Sequence, residues 1–251
     1  MRVLRYDTNS SRAIELLGRL KEHIALESLP QDLCLVIGGD GYMLRVISEL
    51  GQGYTYLGIN SGRLGFMLNR PNDLAETAEL LKRGAWRTLS VPRLQMTATT
   101  EQGGKVTGLA LNDAYLERAS GQTAHLRVEV NGVEIVERIV CDGVIVSTAL
   151  GSTAYSFSAG GPICHPTLRH IQVTAISAHS PRLPPIVLPS SATVEITALE
   201  TEKRPVRVVT DGIDHPGVTG VSVRDGNSDI KLAFLEGHDT TASLIETMLK
   251  T

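Results

Sequence analysis

Short apolar runs alternate with helical patterns along the first third of the chain. Residues 2–6 read as a strand, and Ser10 or Ser11 stands as an N-cap ahead of Ile14, Leu17, Leu20 and Ile24, spaced for one face of a helix. Residues 33–37 (LCLVI) form the continuous apolar run of a strand buried on both faces, and it empties into Gly38-Gly39-Asp40-Gly41. A helix over roughly 42–50 follows, then a strand over 54–59 and the loop Asn60-Ser61-Gly62-Arg63-Leu64-Gly65. The next helix, over 72–83, is signalled by Pro71-Asn72-Asp73. This βαβα rhythm predicts a parallel α/β, Rossmann-like domain.

Near residues 86–92 the helical period disappears. Leu94, Met96 and Ala98 alternate with polar residues, and Val128 and Val130 alternate with Arg127 and Glu129. Asn131-Gly132 then supplies the two positive-φ residues of a tight hairpin before Val133 and Ile135. Further runs at 171–176, 194–198, 206–209, 221–223 and 230–234 predict an all-β, sandwich-like second domain. Residues 241–250 regain helical spacing, with Leu244, Ile245, Met248 and Leu249 on one side. The expected division is therefore 1–90 and 91–237, with 238–251 returning to the first domain.

With 251 residues and 42% apolar composition, the chain can build two cores without covalent staples. A formal net charge of −3 leaves no basic excess for a nucleic-acid footprint. Cys34, Cys141 and Cys164 are odd in number and set in apolar surroundings, which fits reduced thiols that pack. The N-terminal residues show no signal-peptide pattern, and no run approaches about 18 apolar residues. The expectation is a cytoplasmic protein with no membrane partner. Zinc spacings such as HExxH or CxxC, the Walker sequence and the hydrolase elbow are all absent from the sequence, and no protein metal ligands are expected.

Three glycines around one aspartate, between a buried strand and a helix, let backbone approach a ligand closely, and the helix start attracts phosphate. An anionic Asp40 in such a cradle needs a purpose, either taking a proton from an attacking hydroxyl or holding a cation. Both belong to phosphoryl transfer. A helix cap or turn explains Asp40 equally well, and four residues alone do not separate the two. Residues 142–162 (DGVIVSTALGSTAYSFSAGGP) carry seven hydroxyls among small residues, with Tyr155 large enough to lie along a ring. A solvated strand-to-helix loop would carry such hydroxyls too.

Taken together, GGDG at 38–41, LND at 111–113, DG at 142–143, GSTAYSFSAGGP at 151–162 and TDG at 210–212 resemble the NAD kinase family in order and spacing. GINSGRLGF at 58–66 and AHSPRLPPIVLP at 178–189 are similar to further family segments. The resemblance implies a kinase that transfers the terminal phosphoryl group of ATP, with a divalent cation such as Mg2+, to the 2′-hydroxyl of the adenosine ribose of NAD. Asp40 would be the general base, with Gly41 against the dinucleotide. Asn112 and Asp113 match the pair that holds ribose and base. Asp142 and the segment Thr153, Ala154, Tyr155, Ser156 and Ser158 match nicotinamide- and adenine-side contacts. Arg45 and His125 fall where the family places further contacts, though a solvated helix cation and a strand-end histidine account for them equally well. The resemblance also implies a homo-oligomer, a dimer or tetramer.

Val140, Ala149, Leu150, Pro184 and Ile213 depart from the family pattern, and Asp113 replaces its glutamate. Two other readings stand beside the kinase: a lipid or sugar kinase of the GGDG group, and a non-catalytic dinucleotide sensor. The first leaves GSTAYS without a task, and the second has little use for a base at Asp40.

Overall fold

A computed structural model of the chain describes residues 3–250 other than 63, 64 and 72, with side chains as far as 245. Arg63 and Leu64 of the GINSGRLGF segment, Asn72 of the expected helix start, and the side chains of Met248 and Leu249 lie outside the described residues. The chain divides into two compact units, 1–91 with 229–251, and 92–228.

In the first unit β1 (Val3–Tyr6), β2 (Leu33–Gly38) and β3 (Thr55–Asn60) run parallel in that order. Residues 231–233 of the last strand add a fourth parallel member beside β3. Helix α1 (Ser11–Lys21) begins where Ser10 Oγ accepts from the Ala13 N–H. Helix α2 spans Asp40–Leu50, and α3 spans Leu74–Arg83, capped by Asp73 and closed by left-handed Gly84. Period-two alternation sends Leu33, Leu35, Ile37, Leu57 and Ile59 to one face, where they share a core with Ala13, Leu17 and Leu20 of α1 and Ala78 and Leu81 of α3. Gly58 points to the opposite face, where a Cβ would meet Met43 of α2 and Leu68. Coverage on both faces is why LCLVI is apolar throughout. Each such Leu or Ile contributes roughly 1.5–3 kcal/mol of burial.

Two expectations shift. Helix α2 starts at Asp40 rather than near 42, because extended Gly39 is its N-cap and the Gly39 carbonyl accepts from both Tyr42 and Met43. The apolar run 230–234, expected in the β-rich domain, lies in the first unit: its alternation fits a buried parallel strand as well as a sandwich strand, and only the pairing with β3 distinguishes them.

The second unit is built of β4 (Trp86–Thr100) from residue 92 onward, β5 (Lys105–Ala110), β6 (Asp113–Arg118), β7 (Ala124–Val130), β8 (Val133–Cys141), β9 (Gly143–Ser147), β10 (His170–Ile176), β11 (Ile186–Pro189), β12 (Val194–Leu199), β13 (Val206–Thr210) and β14 (Ile213–Leu235) up to residue 228. A short helix α4 (Tyr155–Ser158) follows β9. Strand β14 pairs through residues 213–218 with β13, leading on to β6, β9, β10 and β11; through residues 220–223 it pairs with β12, leading on to β7 and β8. Residues from both runs, among them Leu116, Val144, Val208, Leu126, Val128 and Ile196, share one core, as sheets packed face to face do. The β7–β8 turn has Asn131 at φ 52° and Gly132 at φ 74°, the geometry a two-residue hairpin requires.

Candidate functional site

Each unit carries part of the expected chemistry. In the first, Asp40 is the opening residue of α2. Its Oδ2 accepts from the Phe66 N–H at 2.7 Å and its Oδ1 from the Met67 N–H at 3.1 Å. Asp40 therefore does not cap its own helix; the carboxylate is clamped by a loop 26 residues away in sequence. Burial raises its pKa above the ordinary carboxylate range, against the pull of the two N–H donors and Arg70. A fixed carboxylate with raised basicity suits a general base.

The loop that holds it is itself determined by GINSGRLGF. Asn60 Oδ1 accepts from the Gly62 N–H, and Gly65 lies so close to the Asn60 amide that a Cβ would intrude. Asn69, which the sequence did not single out, donates to Gly58 and Ala233 and accepts from Leu235, pinning the loop end to the strands. Gly39 and Gly41 have negative φ, as does Gly38. The GGDG turn thus needs no left-handed residue. At Gly39 and Gly41 a Cβ would meet nothing within 4 Å, so their smallness leaves an open approach to the helix start. Arg45 is exposed on α2 with its guanidinium 5.3 Å from the Tyr42 ring centroid, a stacked surface cation.

In the second unit, Asp211 organises the LND segment. Its carboxylate accepts from the N–H groups of Leu111 (2.6 Å), Asn112 (2.9 Å) and Asp113 (3.3 Å). Asp211 (φ 45°) and Gly212 (φ 85°) make the tight turn between β13 and β14, so the Asp-Gly pair in TDG was the legible signal for this role. Thr148 stitches the same segment to the next loop: its Oγ1 donates to the Leu111 carbonyl at 2.7 Å and accepts from the Gly151 N–H, while its N–H donates to the Asn112 carbonyl. Asn112 and Asp113 are thereby brought beside GSTAYS.

Asp113 is buried, and burial together with the charge of Asp211 pushes its pKa up to about 7. The folded state then binds the proton more tightly than the unfolded chain, so the stabilisation is complete at low pH and is lost as pH rises through about 7. Asp113→Asn, a neutral isostere, should raise stability at pH 8 by on the order of 2–4 kcal/mol and leave it nearly unchanged at pH 4. Thermal melts of both proteins at the two pH values check this; an equal effect at both would show that Asp113 stays ionised.

Within 151–158 the hydroxyls divide into two groups. Ser152 is buried and bonded to Ala149 and Cys164. Ser156, expected among the ligand contacts, is also fully buried, its Oγ between Thr174 Oγ1 (3.0 Å) and Gln172 Nε2 (2.7 Å). It fastens the loop to β10 instead, a use of hydroxyls that sequence alone does not separate from ligand binding. Thr153, Ala154 and Tyr155 are half-buried, and Ser158 is exposed. Tyr155 meets Tyr115 edge to face with ring centroids 5.0 Å apart, which fixes its ring plane. Asp142 pairs with Arg118 at 2.6 Å. His125, on β7, has its Nδ1 3.4 Å from Glu200 Oε1. Leu150 is buried, turned into the interior.

Residues 111–233 match the model of the ATP-NAD kinase C-terminal domain family. The NAD kinase of Brucella suis is 36% identical over 219 residues, covering 86% of this chain and 83% of that protein. The NAD kinase of Rickettsia felis is 34% identical over 247 residues, covering 96% and 94%. Among solved structures, an Archaeoglobus fulgidus NAD kinase in complex with ATP has a TM-score of 0.77 at 26% identity, covering all of both chains. Yeast NADH kinase complexed with NADH has a TM-score of 0.82 at 22% identity, covering 100% of this chain and 87% of that one, a likeness of fold.

Proposed function

As the chain belongs to the NAD kinase family and phosphorylates NAD, we propose that Asp40 is the base that takes the proton from the 2′-hydroxyl of the adenosine ribose. The observation that carries this assignment is the clamp of Phe66 and Met67 N–H groups, which leaves a half-buried, aimed carboxylate at an open glycine turn. As the proton passes to Asp40, the ribose oxygen bonds to the terminal phosphorus of the donor, the bridging P–O bond breaks, and the nucleoside diphosphate leaves. ATP is the donor. The family resemblance implies a divalent cation such as magnesium, which would neutralise charge on the donor's phosphates.

Dinucleotide binding falls to the second unit. Asn112 and Asp113, set by Asp211 and Thr148, offer an amide and a carboxyl to ribose hydroxyls and base. Tyr155 supplies a ring face, with Thr153, Ala154 and Ser158 along the same accessible stretch. Asp142 contributes a carboxylate oriented by Arg118. Arg45 and His125 stay outside this set, since the Tyr42 ring and Glu200 account for them. Removing the ring by Tyr155→Ala should weaken NAD binding about tenfold, roughly the 1–3 kcal/mol of one base-stacking platform. Calorimetric titration with NAD reads the effect; an unchanged affinity assigns Tyr155 to packing against Tyr115 alone.

No helix among the described residues is long and apolar enough to cross a membrane. The family resemblance carries homo-oligomeric assembly, which size-exclusion chromatography with light scattering reads directly.

A further inference from the structure

We infer that a groove on the first unit, lined by Arg12, Arg19 and Arg70 at the carboxyl end of β3, binds the phosphate chain of the phosphoryl donor. The groove is an open cavity of about 320 Å3. Arg12 and Arg19 are spaced i, i+7 on α1, which places both guanidiniums on one face of the helix toward the cavity. The opposite wall is the turn after β3, Asn60, Ser61 and Gly62.

Three features give the groove its chemistry. It carries three cations against the single carboxylate of Glu15, in a chain whose formal net charge is −3. Among the described residues neither Arg12 nor Arg19 has a carboxylate within ion-pair distance, so both forks are open to an external anion. Guanidinium forks match phosphate oxygens in geometry as well as charge. Position adds the rest. In open parallel sheets ligands bind beyond the carboxyl ends of the strands, and the Ser61 N–H donates to the Gly38 carbonyl at 2.9 Å, tying this wall to the residue that opens the GGDG turn. Arg70 also acts electrostatically on Asp40, pulling its carboxyl pKa down against burial. The groove therefore lies within electrostatic reach of the base.

The ligand class is a chain of phosphates, either the tail of a nucleoside triphosphate or an inorganic polyphosphate. This naming of the anion as donor rests on the kinase reading; the anion site itself does not. The test compares the wild-type chain with the double variant Arg12→Ala/Arg19→Ala, both charges lying on an exposed helix face whose loss spares the core. Kinetics are run with ATP and, separately, with tripolyphosphate as donor, and tripolyphosphate binding is measured by calorimetry without NAD. The expected result is a KM for the productive donor raised about tenfold or more, a KM for NAD within about twofold, and tripolyphosphate binding weakened in parallel. The arm that yields NADP identifies the source of the phosphate chain. An unchanged donor KM overturns the proposal, whatever happens to tripolyphosphate. If the wild-type chain makes no NADP from either donor, the kinase reading fails, while the calorimetric arm still decides whether the groove binds phosphates.

Discussion

Replacing Asp40 with asparagine is expected to lower kcat by about 10²–10⁴-fold, the range a positioned general base supplies, while NAD affinity stays within about threefold. The carboxylate receives one N–H on each oxygen, from Phe66 and Met67. Asparagine can keep one of these bonds through its carbonyl. Its amide nitrogen then faces an N–H donor, so one backbone group loses its partner at a cost of about 1–3 kcal/mol. Partly offsetting this, a neutral side chain no longer carries the desolvation that raises the Asp40 pKa. The expected melt shift is therefore small beside the catalytic loss. Kinetics, NAD calorimetry and a thermal melt on the same preparation separate the roles. Parallel losses of kcat and NAD binding would make Asp40 a structural clamp.

The second large effect is expected at Gly151. A Cβ there would sit 2.1 Å from the Asn112 carbonyl oxygen and 2.5 Å from its carbon, both backbone atoms that no rotamer can move aside. Gly151→Ala must displace one of the two loops, breaking the bonds from Thr148 to the Leu111 and Asn112 carbonyls. Overpacking against backbone costs about 3 kcal/mol, and it falls on the segment that sets Asn112 and Asp113. We expect a lower melting temperature and a KM for NAD raised more than about tenfold. Gly41→Ala supplies the contrast: nothing lies within 4 Å of its Cβ, and Ala is the better helix former by roughly 1 kcal/mol. Stability should hold or rise there, with any loss confined to turnover. If Gly151→Ala binds NAD normally, the two loops do not form the dinucleotide site.

These two positions show what sequence can and cannot carry. The strand before GGDG, the Asn131-Gly132 hairpin and the Ser10 cap were legible, because local periodicity and φ preference determine them. The alternation at 230–234 was legible as a strand but not as a parallel neighbour of β3, since a strand's partner is set by long-range packing. At the site, the residue types of LND, TDG and GSTAYS pointed to ligand chemistry, yet the division of labour among them needed coordinates. Ser156 and Ser158 look alike in sequence, but one is bonded to Thr174 and Gln172 and the other is exposed. Asp113 is buried and Asp211 half-buried; only Asp211 receives three N–H groups, and only the structure assigns it to scaffolding. Asn69 escaped notice because nothing in its local sequence distinguishes a buried three-bond clamp from a loop asparagine.

The measurement closest to the central claim is product formation from NAD, ATP and magnesium, read with a dehydrogenase that accepts only NADP and controlled by omitting each substrate. NADP that appears only with both substrates, and disappears with Asp40→Asn, is the predicted result. NAD consumed without NADP, or NADP formed at the wild-type rate by the Asp40→Asn chain, would contradict the account.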